Sequence, residues 1–349
     1  METLILAING GSSSLKFGAF IIDGDRVETL TSGSVESSHD HAAAFEEIAS
    51  KLGGAQPDAI GHRIVHGGPR LFQPVLIDDD VIAQLEAACA FAPLHGPAAL
   101  SVIASAQRHF PGKPQVACFD TDFHEHLPPV AAVLPVPNAL RGAGVRRYGF
   151  HGLSCQSIVR QLGNELPARL VIAHLGSGAS VTAARYGVSV DTSMGLTPSG
   201  GVVMATRCGD IDPGLLLFLL REQGLAAGKL EELLDRHSGM LGISGQSGDL
   251  RQLRQLASLV PNAQLAIDIF CRSIAKSIAA MIASLGGIDM LVFSGGIGEN
   301  DAVTRAAICA DLAWAGISYP GEASGGVAVR VMSPSEEEQI ARTVSQVVA

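Results

Sequence analysis

Two apolar segments that each end in a glycine- and serine-rich turn are the feature that most constrains how this chain folds. Residues 3–9 lead into the turn at 10–14, and residues 170–175 lead into the turn at 176–180. Laid over each other without gaps, the segments match Leu4 with Leu170, Ala7 with Ala173, Gly10 with Gly176 and Ser14 with Ser180. Such a repeat predicts two related halves that face each other, although two glycine-rich hairpins also resemble each other by chance.

Helical and extended patterns alternate along the rest of the chain, which predicts an α/β fold. A second apolar run at 15–22 predicts a strand–turn–strand unit with the first segment. A helix is predicted over residues 263–285, because apolar residues recur there at steps of three and four. Gly286 ends this helix, and the apolar run 290–293 predicts a buried strand.

The charge balance excludes some classes of partner. The 349 residues include 34 acidic and 24 basic ones, for a net charge of -10, with no basic cluster, which argues against nucleic acid and anionic membranes. The longest aliphatic–aromatic run, 215–220, is too short to cross a bilayer, and the start of the chain lacks the basic residues of a secretory signal. Six cysteines are scattered singly, so we expect reduced, mostly buried thiols in a cytoplasmic protein.

Glycine is unusually abundant, and much of it falls in three predicted loops that follow apolar runs, at 9–14, 176–180 and 295–300. Backbone amides in such loops bind phosphate oxygens readily, because no Cβ atom obstructs them. Lys16 adds a cation after the first loop. The third loop lacks GxGxxG spacing and the chain has no Walker A pattern. The three loops together predict a nucleotide held between two halves.

Two arginines, Arg63 and Arg207, lie among glycine and apolar neighbours. Such an arginine is commonly part of a structural ion pair, but two of them beside phosphate-binding loops also suit the electrostatic clamp of phosphoryl transfer. Asp120 follows an apolar run, where a carboxylate can hold a metal, act as a base or cap a helix. Histidines in turn-like contexts are candidate donors around an anion; they are His95, His151 and His174.

These features together resemble the acetate kinase family, which comprises the acetate and propionate kinases of the actin-like sugar kinase superfamily. The matching segments run in family order along nearly the whole chain. They are residues 9–17, 61–68, 92–95, 119–121, 147–152, 174–180, 191–195, 206–213 and 293–300.

The resemblance implies two actin-like, ribonuclease H-like domains with a nucleotide cleft between them. One would comprise residues 1–121 plus 337–349, and the other residues 122–336. The implied activity is reversible transfer of the γ-phosphoryl group of ATP to acetate, giving acetyl phosphate and ADP, with propionate or butyrate as alternative acceptors. The enzyme would use Mg²⁺, or Mn²⁺ in its place, and would form a homodimer.

The resemblance also implies catalytic roles. Asn9 and Arg63 would contact the carboxyl–phosphoryl centre, and Asp120 would organise the acyl acceptor or its metal. Arg207, with His151, would stabilise the phosphoryl group during transfer. Asn9 and Glu336 would serve the metal, although the acidic run that contains Glu336 is also typical of a solvated surface. A small apolar pocket for the acyl chain would consist of Val65, Leu94, Phe150 and Pro198.

The implied nucleotide site draws on residues from every glycine-rich segment and from one further segment near position 250. They are Ser12, Ser14, Lys16, His174, Gly176, Ser177, Gly178, Asp249, Leu250, Arg251, Gly295, Gly296, Ile297, Gly298 and Asn300.

The chain departs from the family pattern in several places. It is shorter between about residues 25 and 61, Ser177 and Gly96 each replace an asparagine, and 199–200 reads Ser-Gly where the family has Leu-Glu. These changes bear on nucleotide affinity and acyl preference more than on the reaction type. Two other classes are a non-catalytic ATP-binding module of the same fold and a nicotinamide dehydrogenase, whose required motif does not appear in register.

A kinase of carboxylates needs no general base, because its acceptor is already an anion. The protein must instead bring two anions together with arginines, backbone amides and a metal. For a chain with a net charge of -10, this predicts positive potential confined to the cleft.

Overall fold

The protein is represented by a computed structural model, which describes residues 2–10, 14–36, 41–93, 95–319 and 326–349. Two predicted site residues, Ser12 and Leu94, lie outside the described residues.

The first half of the chain is built on a six-stranded sheet. Its elements are β1 (Thr3–Gly10), β2 (Ser14–Asp23), β3 (Arg26–Glu36), α1 (Ala42–Lys51), β4 (Ala59–Ile64), β5 (Val75–Leu76), α2 (Asp79–Ala88), α3 (Gly96–His109) and β6 (Gln115–Phe119). The strand order is β3-β2-β1-β4-β6-β5. Strands β1, β2 and β3 are antiparallel neighbours, whereas β4 is parallel to both β1 and β6.

The second half is built on a five-stranded sheet. Its elements are α4 (Pro129–Ala132), α5 (Gly152–Leu162), β7 (Arg169–Leu175), β8 (Ala179–Arg185), β9 (Val188–Thr192), α6 (Pro213–Arg221), α7 (Ala227–Arg236), α8 (Gly239–Ser244), α9 (Leu250–Leu256), α10 (Pro261–Leu285), β10 (Met290–Ser294), α11 (Gly295–Asn300), α12 (Ala302–Asp311), β11 (Ala328–Val331) and α13 (Glu336–Val348). The strand order is β11-β10-β7-β8-β9.

The two sheets repeat one topology, which confirms the predicted internal repeat. In each, an antiparallel three-stranded meander is extended on the side of its first strand by two parallel strands, and the first sheet has a further, antiparallel strand, β5, at its edge. The gapless overlay is wrong beyond the first strand. Ile8 lies opposite Phe17, whereas the equivalent His174 lies opposite Ser180, so Ser14 and Ser180 are not equivalent.

Two helices connect the halves. The apolar face of α13 packs on the first sheet through Ile340, Ala341 and Val344. Helix α5 contacts both sheets, because Leu153 joins the same cluster while its later apolar residues, such as Ile158, pack against β7 and β10. Side chains at the start of α5 and of α13 therefore lie at the junction of the halves.

The predictions of one long helix and of mostly buried cysteines are confirmed in the described residues, and one loop prediction is wrong. The predicted helix is α10, and Gly286 ends it in a left-handed conformation with φ of 70°. All six cysteines are free, four of them buried. The prediction of a loop at 295–300 is wrong, because these residues form the short helix α11 directly after β10. No helix in the described ranges combines the length and apolarity needed to span a membrane.

The contact between β4 and α13 depends on Gly61. A Cβ atom at this position would overlap Ile340 and would lie 2.6 Å from Cγ2 of Val344. We expect Gly61→Ala to lower the free energy of unfolding by about 1–3 kcal/mol through overpacking, measured by urea denaturation. Gly228→Ala, on α7 with open space around it, is the matched control and should be neutral or slightly stabilising. Equal stability of both variants would contradict the close packing of β4 against α13 at Gly61.

Candidate active site

An ion pair between Arg63 and Asp120 lies at the carboxyl edge of the first sheet. Strands β4 and β6 run parallel, and Arg63 lies opposite Cys118. Asp120, directly after the end of β6, therefore lies next to Arg63. Arg63 Nη2 lies 2.6 Å from Asp120 Oδ2, and Nε lies 3.1 and 3.0 Å from the two carboxylate oxygens. Asp120 does not cap a helix, so that alternative is wrong.

The amide of Asn9 links this ion pair to the start of α13. Its Oδ1 accepts a hydrogen bond of 3.0 Å from Arg63 Nη1, and its Nδ2 donates to Glu336 at 2.8 Å and to Glu337 at 3.0 Å. The second oxygen of Glu336 accepts a hydrogen bond from the Ser154 hydroxyl on α5. The Glu336 side chain is only 12% exposed, so the alternative of a solvated acidic run is wrong for this residue.

The neighbouring charges in this cluster favour the charged forms of both Arg63 and Glu336. Burial alone would lower the pKa of Arg63, but the carboxylates of Asp120 and Glu336 outweigh it and raise that pKa. Burial raises the pKa of Asp120, and Arg63 opposes this shift. Burial would also raise the pKa of Glu336, but Arg63 and His174 outweigh it and lower that pKa. Arg63 therefore remains a cation and Glu336 an anion.

Arg207 differs from Arg63 in having no carboxylate partner among the described residues. Its Nη1 donates to the carbonyl of Pro198 at 3.2 Å, and its Nη2 lies 3.4 Å from Nε2 of His95. Burial lowers the pKa of Arg207, and Asp235 opposes this. The structural ion pair that the sequence left open is present at Arg63, whereas Arg207 has none with the described residues, which leaves the Arg207 charge available to an anion.

Two histidine rings stack beside Arg207. The centroids of His151 and His174 are 4.3 Å apart, with 28° between the ring planes. His151 precedes α5 in a left-handed conformation with φ of 57°, which a non-glycine residue rarely adopts. Burial lowers the pKa of His174 to about 4 and that of His151 well below its usual value. Both rings are therefore neutral near pH 7.

Gly178 keeps a space open between these side chains. A Cβ atom at this position would lie 3.3 Å from Arg207 Nη1 and 3.5 Å from His151 Nε2. An anionic oxygen placed there would be near hydrogen-bonding distance of a cation and of a neutral imidazole. The geometry therefore defines a small anion-binding position at the turn between β7 and β8.

The Arg63 cluster and the Arg207 group lie within one electrostatic environment. Arg63 lowers the pKa of His95, His151 and His174, in each case in addition to burial. Around Arg63 the carboxylates of Asp120, Glu336 and Glu337 outnumber the cation. Of the two arginines, only Arg207 lacks a carboxylate partner among the described residues, so the uncompensated positive charge lies at Arg207 and not at Arg63.

Three of the predicted pocket residues lie at the junction of the halves. Val65, just after β4, packs against the core of the second half, which includes the buried Phe150. Pro198 is buried and its carbonyl accepts from Arg207.

The predicted nucleotide residues divide into three groups. Gly176, Ser177 and Gly178 form the tight turn after β7, and the Ser177 carbonyl accepts from the amide of Ala205 at 3.2 Å. The Ala205 carbonyl in turn lies against Gly248, next to the ion pair between Asp249 and Arg251. This pair is on the rim, whereas the Leu250 side chain is buried in the core and leaves only its backbone for a ligand.

The α11 residues form the second group. Gly295 has φ of 74°, and a Cβ atom there would lie 3.2 Å from Cε1 of His174, so this glycine permits close approach. Gly296 is exposed and Ile297 half-buried, whereas Gly298 is buried against β7 and β10. The Asn300 amide donates to the Gly296 carbonyl at 2.9 Å within its own helix.

The third group lies on β2, where Ser14 begins the strand. The exposed Lys16 lies opposite Asn9 in the hairpin, and its charge contributes to lowering the pKa of His174.

A cavity of about 780 Å³ lies elsewhere, between β9 and the polar face of α10. Its lining includes Arg147, Asp191, Asp268, Arg272 and Lys276, and none of the predicted site residues. This cavity contains no candidate catalytic residue, whereas the convergence of buried charges directs attention to the cleft.

The sequence did not indicate several polar residues that hold the site together. Ser154 and Glu337 flank Glu336, while Ser180 and Ser294 contact the stacked histidines. Ser154 could have been predicted, because it follows His151 by three residues and therefore lies within the first turn of the helix that begins there. The contacts of the other serines depend on strand pairing and have no local signature.

Comparisons with known proteins identify the family of this chain. Residues 35–334 match the Acetokinase family. An acetate kinase from Shewanella loihica is 44% identical over 336 residues, covering 86% of this chain and 84% of that protein. The crystal structure of Porphyromonas gingivalis acetate kinase superposes with a TM-score of 0.86 at 32% identity, covering 99% of this chain and 100% of that one. A propionate kinase from Francisella tularensis gives 0.86 at 34% identity, covering 98% of each chain.

The duplicated sheets with a charged cleft between them define an actin-like phosphotransferase fold. Within that class, the chain belongs to the acetokinase family. The resemblance identified from the sequence and the fold class that it implied are thereby confirmed.

Two buried histidines make stability depend on pH. Burial lowers the pKa of His62 and of His124 to about 4, although each ring also has a hydrogen-bond partner. Both residues are less than 3% exposed. Between pH 6.5 and 4 the unfolded chain binds more protons than the folded one, so stability is complete above pH 6.5 and falls as the pH decreases.

We expect each of these histidines to contribute a loss of about 2 kcal/mol in the free energy of unfolding between pH 7 and pH 5. Urea denaturation across that range measures the slope. His126→Ala, at a ring that is 78% exposed, should leave the slope unchanged. A free energy of unfolding that is flat from pH 7 to pH 5 would exclude buried neutral imidazoles.

Proposed function

We propose that this protein is an acetate kinase that reversibly transfers the γ-phosphoryl group of ATP to acetate, giving acetyl phosphate and ADP. The single observation that carries this is the open position at Gly178, bounded by Arg207 Nη1 and His151 Nε2. A cation without a carboxylate partner in the described residues, next to a neutral donor, suits a phosphoryl group that carries charge during transfer. The family and the named relatives support the same reaction.

In this mechanism an acetate oxygen attacks the γ-phosphorus, and the bond from that phosphorus to the β–γ bridging oxygen breaks as ADP leaves. No proton is transferred, because acceptor and leaving group are both anions. Arg207 lowers the repulsion between them, and His151 donates to a phosphoryl oxygen. Arg63, oriented by Asp120 and Asn9, binds the acetate carboxylate at the edge of the first sheet.

The oxygen donors at the Arg63 cluster fit a divalent metal. Mg²⁺ prefers oxygen ligands and is commonly held by one or two carboxylates together with substrate phosphates. We assign Glu336 and Asn9 to hold Mg²⁺, or Mn²⁺ in its place. When bound, the metal would neutralise charge on the ATP phosphates.

The nucleotide would lie along the second half of the cleft. Gly176, Gly178 and the adjacent Gly295 carry no side chain, which leaves backbone amides for phosphates. Asp249 and Arg251, on the rim beyond Ala205, would contact the nucleoside, together with the backbone of Leu250. Ser14 and Lys16 would approach the phosphates from the first half.

Acetate is the preferred acceptor in this proposal, with propionate and butyrate as alternatives. The acyl group would lie against Val65, Phe150 and Pro198, at the apolar junction of the halves. A pocket of this kind separates neighbouring chain lengths by only about 1–3 kcal/mol per methylene. Both acetate and propionate kinases are among the solved relatives.

We also propose that residues 1–121 with 337–349 form one domain and residues 122–336 the other. The packing of α13 on the first sheet supports this division. A cytoplasmic location fits the six free cysteines.

The experiment that tests the reaction combines ATP, Mg²⁺ and a panel of acetate, propionate and butyrate. ADP formation is measured together with acyl phosphate, trapped as the hydroxamate. We expect the highest kcat/KM for acetate. ADP formation without hydroxamate would support a non-catalytic or hydrolytic ATP-binding protein instead.

Arg207→Ala should reduce kcat by at least 100-fold, because about 3 kcal/mol or more of transition-state stabilisation is lost. The melting temperature should change little, since Arg207 makes no ion pair in the described residues. Arg26→Ala, at an arginine 78% exposed on β3, is the control and should retain wild-type kinetics. Near-wild-type turnover by Arg207→Ala would overturn the assigned role.

A homodimer is proposed from the surface of α6. This helix has no buried residue, and Leu215, Leu217, Phe218 and Leu220 are each 38–50% exposed. Exposed apolar side chains in such number on one short helix are typical of a protein interface.

We expect the native mass in solution to correspond to two 36.1 kDa chains, measured by sedimentation equilibrium. The double variant Leu217→Asp/Phe218→Asp should be monomeric. Leu259→Asp, at an exposed leucine outside α6, should remain dimeric. A monomeric wild type, or a dimeric double variant, would refute this interface.

A further inference from the structure

Two serine hydroxyls lie within hydrogen-bonding distance of the Nδ1 atoms of the stacked histidines. His174 on β7 lies directly opposite Ser180 on β8 and Ser294 on β10, so the three residues form one row across the second sheet. The Ser180 hydroxyl lies 2.9 Å from Nδ1 of His151, and the Ser294 hydroxyl lies 3.3 Å from Nδ1 of His174. Each imidazole therefore has a serine at the same ring nitrogen.

Each of the two serine hydroxyls has its histidine nitrogen as its hydrogen-bond partner. Ser180 is 1% exposed and Ser294 is fully buried, and neither hydroxyl has a second hydrogen-bond partner among the described residues. Ser294 occupies the N-cap of α11, a position where serine commonly bonds to the helix backbone, yet its side chain makes no capping hydrogen bond. Its hydroxyl is instead directed at His174.

The opposite nitrogens face the anion-binding position. Nε2 of His151 lies 3.5 Å from a Cβ atom built on Gly178, and Nε2 of His174 lies 4.0 Å from one built on Gly176. Both Nε2 atoms thus point at the turn that borders Arg207. A lone pair there would repel a phosphate oxygen, whereas an N–H would bind it.

The stacking also limits the charge of the pair. With centroids 4.3 Å apart, two imidazolium rings would repel each other in a buried environment. Burial favours the neutral form of both. Each ring then has one N–H, and the position of that proton decides whether the ring binds or repels an anion.

We propose that Ser180 and Ser294 are positioning residues, whose hydroxyls donate to Nδ1 of His151 and His174 and so keep the proton of each ring on Nε2. The two histidines then present neutral N–H donors to the phosphoryl group, and Arg207 supplies the positive charge. The functional part of this inference rests on the proposed kinase reaction, whereas the tautomer assignment does not.

His124 shows that a hydroxyl on Nδ1 and a proton on Nε2 occur together in this fold. Its Nε2 lies 3.1 Å from the Phe150 carbonyl, which only accepts, so Nε2 must carry the proton. Its Nδ1 then accepts from the Ser189 hydroxyl at 2.8 Å. The same arrangement, with a phosphate oxygen in place of the carbonyl, is what we assign to the stacked pair.

The test is ¹⁵N NMR of the full-length protein with ¹⁵N-labelled histidine, because imidazole nitrogen shifts distinguish the tautomers. His151→Gln and His174→Gln serve only to assign the signals. We expect both rings to be neutral Nε2–H tautomers in the wild type. In Ser180→Ala the His151 signal should shift to a tautomer mixture, and in Ser294→Ala the His174 signal should do so.

Kinetics provide the second readout. Ser180→Ala should lower kcat about tenfold, equivalent to about 1.4 kcal/mol, with KM for acetate nearly unchanged. Ser180→Thr, which retains the hydroxyl, should restore the tautomer. Ser157→Ala, at a buried serine on α5 whose hydroxyl bonds to no histidine among the described residues, should leave tautomers and kcat unchanged.

The inference is overturned if the wild-type rings carry the proton on Nδ1, or if Ser180→Ala and Ser294→Ala keep the wild-type tautomers. The wild-type spectrum decides the first point even if a variant fails to fold. Failure of the proposed function is separate, since it would appear as a wild-type protein that forms no acyl phosphate.

Discussion

The ion pair between Arg63 and Asp120 is the interaction on which the rest of the cleft depends. It joins two parallel strands at their carboxyl edge, and through Asn9 it reaches Glu336 at the start of α13. Glu336 is bonded in turn to Ser154 on α5, which packs against both sheets. One buried network thus sets the position of the first half's edge relative to the helices that connect the halves.

The cleft divides its charges between two arginines with different surroundings. Arg63 is compensated by carboxylates, so its guanidinium is oriented rather than free. Arg207 has backbone and histidine neighbours but no carboxylate partner in the described residues. In the proposed mechanism an acidic protein can act on anions, because uncompensated positive charge is needed only where phosphoryl charge develops, and neutral imidazoles supply further donors without added repulsion.

Much of the fold and part of the site could be predicted from local patterns. Apolar periodicity predicted α10, and the repeated apolar runs predicted two related halves. The motif around Arg63 and the strand end at Asp120 indicated residues that do meet. Residues 295–300 were predicted as a loop and form α11, because glycine spacing alone does not distinguish a turn from the first turn of a short helix. Glu336 was ambiguous, since an acidic run has the same composition whether solvated or buried.

The sequence by itself determined the family, the α/β class and the residue types at each strand end, because these follow from local periodicity and ordered motifs. Only the tertiary structure decided which charges are compensated and which nitrogen of each imidazole faces the cleft. Those properties depend on the register between β7, β8 and β10, which places Ser180 and Ser294 beside His174. Residues that are neighbours across a sheet are distant in sequence. Their contacts therefore produce no local sequence pattern from which they could be predicted.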